Sequence, residues 1–158
     1  MGDDNLILRA ARLLQQHRGP HHGAALHLHQ VLPAGGGVGG GSSDAATTLL
    51  GLNALWDLQL DLDTLASLAL QLGADVPVFV RGLSGWVEGV GEQLQPLDLA
   101  AKMYLVVHPG VHVSTAMIFN DPQLTRDTPE STVAAFLGPP PGANFHNDCE
   151  GPARRHFP

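Results

Sequence analysis

Pro33-Ala-Gly-Gly-Gly-Val-Gly-Gly-Gly-Ser-Ser-Asp-Ala-Ala46 gathers six of the chain's 19 glycines between Gly35 and Gly41. Its neighbours decide its reading. Upstream, Ala25 to Leu32 sets Leu26 and Leu28 against His27 and His29, the period of two of a half-buried strand, which Pro33 ends. Downstream, Ser42 to Trp56 offers a serine cap, an acid in the first turn and apolar residues at Ala45, Leu49, Leu52 and Trp56, a helical spacing. Glycines let the backbone take positive φ and approach a ligand closely, and the first amides of the helix that follows have no partner within it. The aligned helix dipole adds about 0.3–1 kcal/mol for a negative group at that end. The amides of Gly39 to Ser43 are therefore expected to hold phosphates without help from a lysine. A flexible glycine linker lacks such flanks and seldom ends in a helix cap. No Gly-Lys-Ser/Thr follows and no acid stands on a following strand, which excludes the Walker and dinucleotide-binding patterns.

Composition narrows the function further. The 158 residues carry 8 Lys and Arg against 15 Asp and Glu, a net charge of −7, and Lys102 is the single lysine. The scattered basic groups give no footprint for nucleic acid phosphates, so no nucleic acid partner is expected. Apolar residues make up 44% of the chain, enough for a sizeable core, yet no run approaches the roughly 20 residues that span a bilayer. No membrane partner is expected. Cys149 is the single cysteine, so neither an internal disulfide nor a thiolate zinc site can form, and a reducing, cytoplasmic setting fits. The N-terminus opens with two acids, unlike a signal peptide. Both ends are abrupt and are read as those of an internal piece of a longer protein.

The remaining segments yield further elements. Asp3 or Asp4 can cap a helix bearing Leu6, Ala10, Leu13 and Leu14 and ending near Arg18. A helix is expected over Asp63 to Leu72, capped by aspartate and closed by Gly73. Gly73-Ala-Asp75-Val-Pro77 starts a short helix through Val80. Residues 83–95 read as two short strands joined by a tight turn, and Met103 to His108 as a central strand. Ser114 or Thr115 can cap a helix to Phe119, Thr128-Pro-Glu130 can start one to Leu137, and Asn147 can cap a last helical turn. His21-His22, His27 and His29 have no acid or thiol at ligand spacing, so no metal site built from side chains is expected. Trp56 and Trp86 are read as core or interface, and Glu88 and Glu92 as solvated.

The segment from Leu32 to Ala46 resembles the second motif of the galactokinase, homoserine kinase, mevalonate kinase and phosphomevalonate kinase (GHMP) superfamily, which wraps the phosphates of ATP. Asn5-Leu-Ile-Leu-Arg-Ala-Ala-Arg-Leu-Leu14, Leu72-Gly-Ala-Asp-Val-Pro-Val-Phe79, Glu88-Gly-Val-Gly-Glu92, His108-Pro-Gly-Val111 and Asn147-Asp-Cys-Glu150 stand in the same order as that family's blocks. The glycine motif specifies only the superfamily. Gly-Ala-Asp-Val-Pro and His-Pro-Gly-Val are similar to the branch whose acceptor is 4-diphosphocytidyl-2-C-methyl-D-erythritol.

The resemblance implies an α+β GHMP kinase fold, with an N-terminal domain of the ribosomal protein S5 domain 2-like type over residues 1–100 and the start of a C-terminal α/β domain over 101–158. It implies ATP with Mg2+, and transfer of the γ-phosphate to the 2-hydroxyl of that small-molecule substrate, in non-mevalonate isoprenoid biosynthesis. Pro33, Gly35, Gly36, Gly37, Gly39, Gly40, Gly41, Ser42 and Ser43 match its phosphate cradle, the two serines being candidates for phosphate or magnesium contact. Asp75 matches the catalytic aspartate facing the acceptor hydroxyl; its other reading is a plain helix cap. Thr115 and Phe119 match substrate-binding positions, with Phe119 stacking on cytosine; its other reading is core packing. The chain departs from the family in having no lysine to accompany the aspartate, no third glycine motif, Gln30 where a lysine is common and Ala34 in place of a larger apolar residue. The chain alone is therefore expected to be inactive. A GHMP kinase with another acceptor, such as homoserine or mevalonate, and a non-catalytic nucleotide-binding remnant are the alternatives, and a homodimer is left open.

Overall fold

The first apolar stripe folds as α1 (Leu6–Arg18) in a computed structural model that describes residues 4–18, 23–32, 37–107, 110–138 and 146–157. Ile7, Ala10 and Leu14 point into the core. The expected aspartate cap is replaced by Asn5, whose carboxamide oxygen accepts from the Ile7 N–H at 3.0 Å.

Helix α2 (Gly40–Leu55) starts two residues before the expected serine cap. Its N-cap is Gly39 at φ 71° and ψ 11°, a left-handed conformation that turns the chain sharply into the helix, whereas a serine cap needs extended backbone. Ser42 and Ser43 lie inside the first turn, and Asp44 beyond it. Ala45, Ala46, Leu49 and Leu52 are buried, followed by Trp56, whose indole N–H donates to the Gly23 carbonyl at 3.3 Å. Leu58 is buried between Asp57 (φ 50°) and Gln59 (φ 54°), two left-handed residues. That strained link is held by Asn53, which accepts from the Leu60 N–H at 3.0 Å and donates to the Leu60 carbonyl at 3.1 Å.

Helix α3 (Leu62–Leu70) is capped by Asp61, which accepts from the Thr64 N–H at 2.7 Å, and not by Asp63. It ends at Gln71 in a right-handed conformation, so Gly73 is not its left-handed closer. Asp63 instead pairs with Arg81 at 2.9 Å. Helix α4 (Val76–Arg81) follows, with Pro77 in its first turn, where no N–H is needed, and Gly82 closing it at φ 64°. Helices α1, α3 and α4 all pack on α2. Strands β1 (Gly85–Glu88) and β2 (Gln93–Pro96) form the expected antiparallel hairpin, with Trp86 opposite Gln95.

Both other expected strands are corrected. From Ala25 to Leu32, Leu26 and Leu28 are half-buried while His27 and His29 are exposed, so the alternation holds. No strand lies alongside among the described residues, and without a partner there is no hydrogen-bond ladder. Met103 to Val107 has no secondary structure and is exposed throughout, Met103 fully and Val106 to 70%; His108 lies outside the described residues.

The chain divides into two compact units, Met1–Met103, which holds the elements above, and Tyr104–Pro158. In the second, α5 (Thr115–Phe119) is capped by Ser114, which accepts from the Met117 N–H. Helix α6 (Val133–Leu137) starts at its Thr132 cap, later than the expected Thr128-Pro129 start; the Thr128 hydroxyl donates to Asp148 at 2.8 Å. Helix α7 (Glu150–His156) follows a turn fixed by Asn147, which accepts from the Cys149 N–H at 3.0 Å. Pro152 falls in its first turn and is buried. Ile118, Leu124 and the carboxylate of Asp121 form the centre of this unit. Among the described residues no helix is long and apolar enough to cross a membrane.

Candidate active site

The start of α2 is a row of unused donors. The first backbone bond into the helix is Ser43 N–H to the Gly39 carbonyl at 2.9 Å, so the Ser43 amide, expected among the phosphate donors, is spent within the helix. Among the described residues, the N–H groups of Gly39, Gly40, Gly41 and Ser42 have no partner, and neither have the hydroxyls of Ser42 and Ser43. Gly37 (φ 69°) and Gly39 (φ 71°) supply the left-handed turns that bring these donors onto one concave surface. They open onto a cavity of about 670 Å³, lined by Gly37 to Asp44, by residues 28–32 and by Phe79. This donor set fits a triphosphate: neutral, pre-aimed N–H groups at the positive end of a 16-residue helix.

Asp75 immediately precedes α4. Its backbone is right-handed and its side chain makes no capping bond, so the structure does not support the plain-cap reading. The carboxylate is exposed and, among the described residues, without a hydrogen bond. Asp75 does not line the cavity, but Phe79, on the same short helix, does. The Phe79 ring presses on Gly39, its Cζ only 2.7 Å from where a Cβ would stand, so α4 is seated on the first turn of the cradle. The one sign of Phe79 in the sequence is its position one helical turn after Asp75.

Thr115 and Phe119 belong to the second unit, at the two ends of α5. Phe119 is half-exposed and lines a cavity of about 490 Å³ with Arg126, His146 and Asn147. It is therefore not a core residue. The Arg126 guanidinium is spent on the carbonyls of Phe119 and Asp121, and His146 pairs with Asp148 at 2.7 Å. Pro33, Gly35 and Gly36 lie outside the described residues. Among the described residues no three His, Cys, Asp or Glu side chains gather as a metal site.

A glycine-rich turn with unpartnered donors opening a long helix, with an aspartate-led helix seated on it, is an arrangement that can be tested against known families. The model of the GHMP kinases N terminal domain matches residues 5–83. The chain belongs to the GHMP kinase family. Two relatives are the 4-diphosphocytidyl-2-C-methyl-D-erythritol kinases of Alcanivorax borkumensis, 62% identical over 99% of this chain and 52% of the relative, and of Chromohalobacter salexigens, 55% identical over 99% of this chain and 53% of the relative. A crystal structure of a 4-(cytidine 5'-diphospho)-2C-methyl-D-erythritol kinase superposes with a TM-score of 0.77 at 37% identity, over 99% of this chain and 59% of that one. The chain thus spans about half the length of the curated relatives it matches. Its mixed α+β architecture is that of a GHMP kinase in this span.

Proposed function

We propose that this chain carries the triphosphate cradle and the acceptor-facing aspartate of a GHMP kinase that phosphorylates the 2-hydroxyl of 4-diphosphocytidyl-2-C-methyl-D-erythritol in non-mevalonate isoprenoid biosynthesis. The observation that carries the reading is the row of unpartnered donors from Gly39 to Ser42, with the helix after Asp75 seated on it through Phe79. The names of the relatives support the acceptor. In this reading residues 1–100 belong to the nucleotide-binding domain and 101–158 to the start of the next.

The N–H groups of Gly39 to Ser42 and the hydroxyls of Ser42 and Ser43 take up the β- and γ-phosphates and hold the γ-phosphorus in line with the acceptor oxygen, so positioning and charge neutralisation supply the rate. The hydroxyls of Ser42 and Ser43 would meet the phosphates or a Mg2+ ion bound with them, which would supply charge neutralisation there. As the acceptor oxygen bonds to the γ-phosphorus, the bond to the bridging oxygen breaks, ADP leaves with that electron pair, and the hydroxyl proton passes late to the Asp75 carboxylate. A carboxylate is a far weaker base than the alkoxide an alcohol would give, which suits it to accept the proton late in the transfer. Phe119 offers its face to the cytosine ring, with Thr115 one helical turn before it.

Titration of the isotope-labelled chain with MgATP tests this reading, with displacement of the Gly39 to Ser42 amide resonances as the expected result. Cytidine diphosphate is expected to displace those of Thr115 and Phe119, whereas homoserine and mevalonate leave them in place. No phosphorylated product is expected from the chain alone; turnover matching that of a full-length relative would overturn that part.

A further inference from the structure

Asp75 does not fix its own place, since its carboxylate is exposed and has no hydrogen bond among the described residues. The peptide before it is fixed from outside, by the turn of the β1–β2 hairpin. Gly91 is buried at the tip of that turn with φ 112°. A Cβ there would overlap the Ala74 carbonyl oxygen and stand 2.8 Å from its carbon. Backbone meets backbone at this point, with no flexible side chain to yield. The turn is in turn braced by Glu92, which accepts from the Val90 N–H at 2.8 Å. Gly89 (φ 70°) leaves room for that carboxylate, because a Cβ there would lie 2.7 Å from its carbon. Glu92, expected to be merely solvated, holds the loop together.

We propose that Gly91 is a positioning residue for Asp75, with Glu92 as its brace: the bare Cα of Gly91 against the Ala74 carbonyl sets the direction in which the Asp75 carboxylate faces the cradle. The inference rests on the kinase reading of Asp75 given above. It explains why Glu88-Gly-Val-Gly-Glu92, far from the phosphate turn in sequence, takes two left-handed glycines and an internal carboxylate clasp to make one tight turn.

Manganese-loaded ATP on the labelled full chain reads the geometry, because paramagnetic broadening falls steeply with distance. In the parent, broadening is expected at the Gly39 to Ser43 amides and at the Asp75 side-chain carboxyl carbon. In Gly91→Ala the broadening at Asp75 is expected to change while that at the cradle amides stays. Glu92→Ala should change it in the same sense, and Glu92→Gln, which keeps an acceptor oxygen for Val90, should restore the parental pattern. A folded Gly91→Ala with parental broadening at Asp75 overturns the proposal. So does a Glu92→Ala indistinguishable from Glu92→Gln, a comparison that decides alone if Gly91→Ala does not fold. Absence of broadening at the cradle amides of the parent marks failure of the kinase reading instead, and the inference falls with it.

Discussion

Phe79 rests the edge of its ring on Gly39, so close that a methyl group at Gly39 would lie 2.7 Å from the ring's Cζ. The contact joins the helix that follows Asp75 to the first turn of the phosphate cradle. It constrains Gly39 twice, through the space the ring takes and through the left-handed backbone at φ 71°. Gly39→Ala is expected to cost about 1–2 kcal/mol from the backbone term alone, with more from the ring. Phe79→Leu in the same chain should return the steric part and leave the backbone part, a split that thermal unfolding of the single and double variants measures.

The Asp75 carboxylate, assigned to chemistry in the proposed function, adds nothing to the core. Asp75→Asn is expected to unfold within about 0.5 kcal/mol of the parent, because no hydrogen bond of the described structure uses the carboxylate. The variant should keep the MgATP-induced shifts at Gly39 to Ser42. A loss of several kcal/mol on chemical denaturation would show that the side chain is structural after all.

Asn53 clasps both polar groups of the Leu60 peptide across two left-handed residues. Asn53→Ala leaves that peptide half-buried and unpaired, at an expected cost of about 1–3 kcal/mol. Asn53→Asp keeps the acceptor for the Leu60 N–H and should lose less near neutral pH. Urea denaturation of the two variants orders them, and equal losses would contradict the clasp.

The second unit should be acid-sensitive through Asp121. The Gln123 N–H donating to its carboxylate, opposed by burial and reinforced by His156 and Arg155, holds it below its ordinary value of 3.8. A folded value below the unfolded one stabilises fully above the unfolded value and is lost as pH falls through the folded one. Stability of the unit should therefore decline as pH drops below 3.8, read from the Ile118 methyl resonance. Asp121→Asn is expected to be less stable at neutral pH and to show a flatter acid limb.

Helices with long-range apolar spacing were legible in the sequence: the buried face of α2 is the one its period selects, while α1 buries the expected Ala10 and Leu14 but takes Ile7 in, leaving Leu6 and Leu13 half-buried. Caps were legible only as a choice among neighbours, and Asn5, Gly39 and Asp61 took the role from Asp3 or Asp4, Ser42 and Asp63. Which residue turns into a helix depends on backbone conformation, and the left-handed glycine at 39 leaves no side-chain signal. The strands over 25–32 and 103–107 failed for a different reason, since an alternating or apolar run states what a segment would bury while pairing depends on a second segment. In the site, the cradle followed from glycine spacing beside a helix, and the positions of Asp75, Thr115 and Phe119 followed from resemblance. Phe79 on Gly39 and Gly91 on Ala74 join residues far apart in sequence, and no local pattern announces such contacts.

The central claim is that the unpartnered N–H groups from Gly39 to Ser42 hold a triphosphate, and a MgATP titration followed at those backbone amides tests it most directly. Saturable displacement of these resonances, lost in Gly39→Ala and absent with adenosine alone, is the predicted result. Amides that stay in place at saturating MgATP, or that respond equally to adenosine, would contradict it.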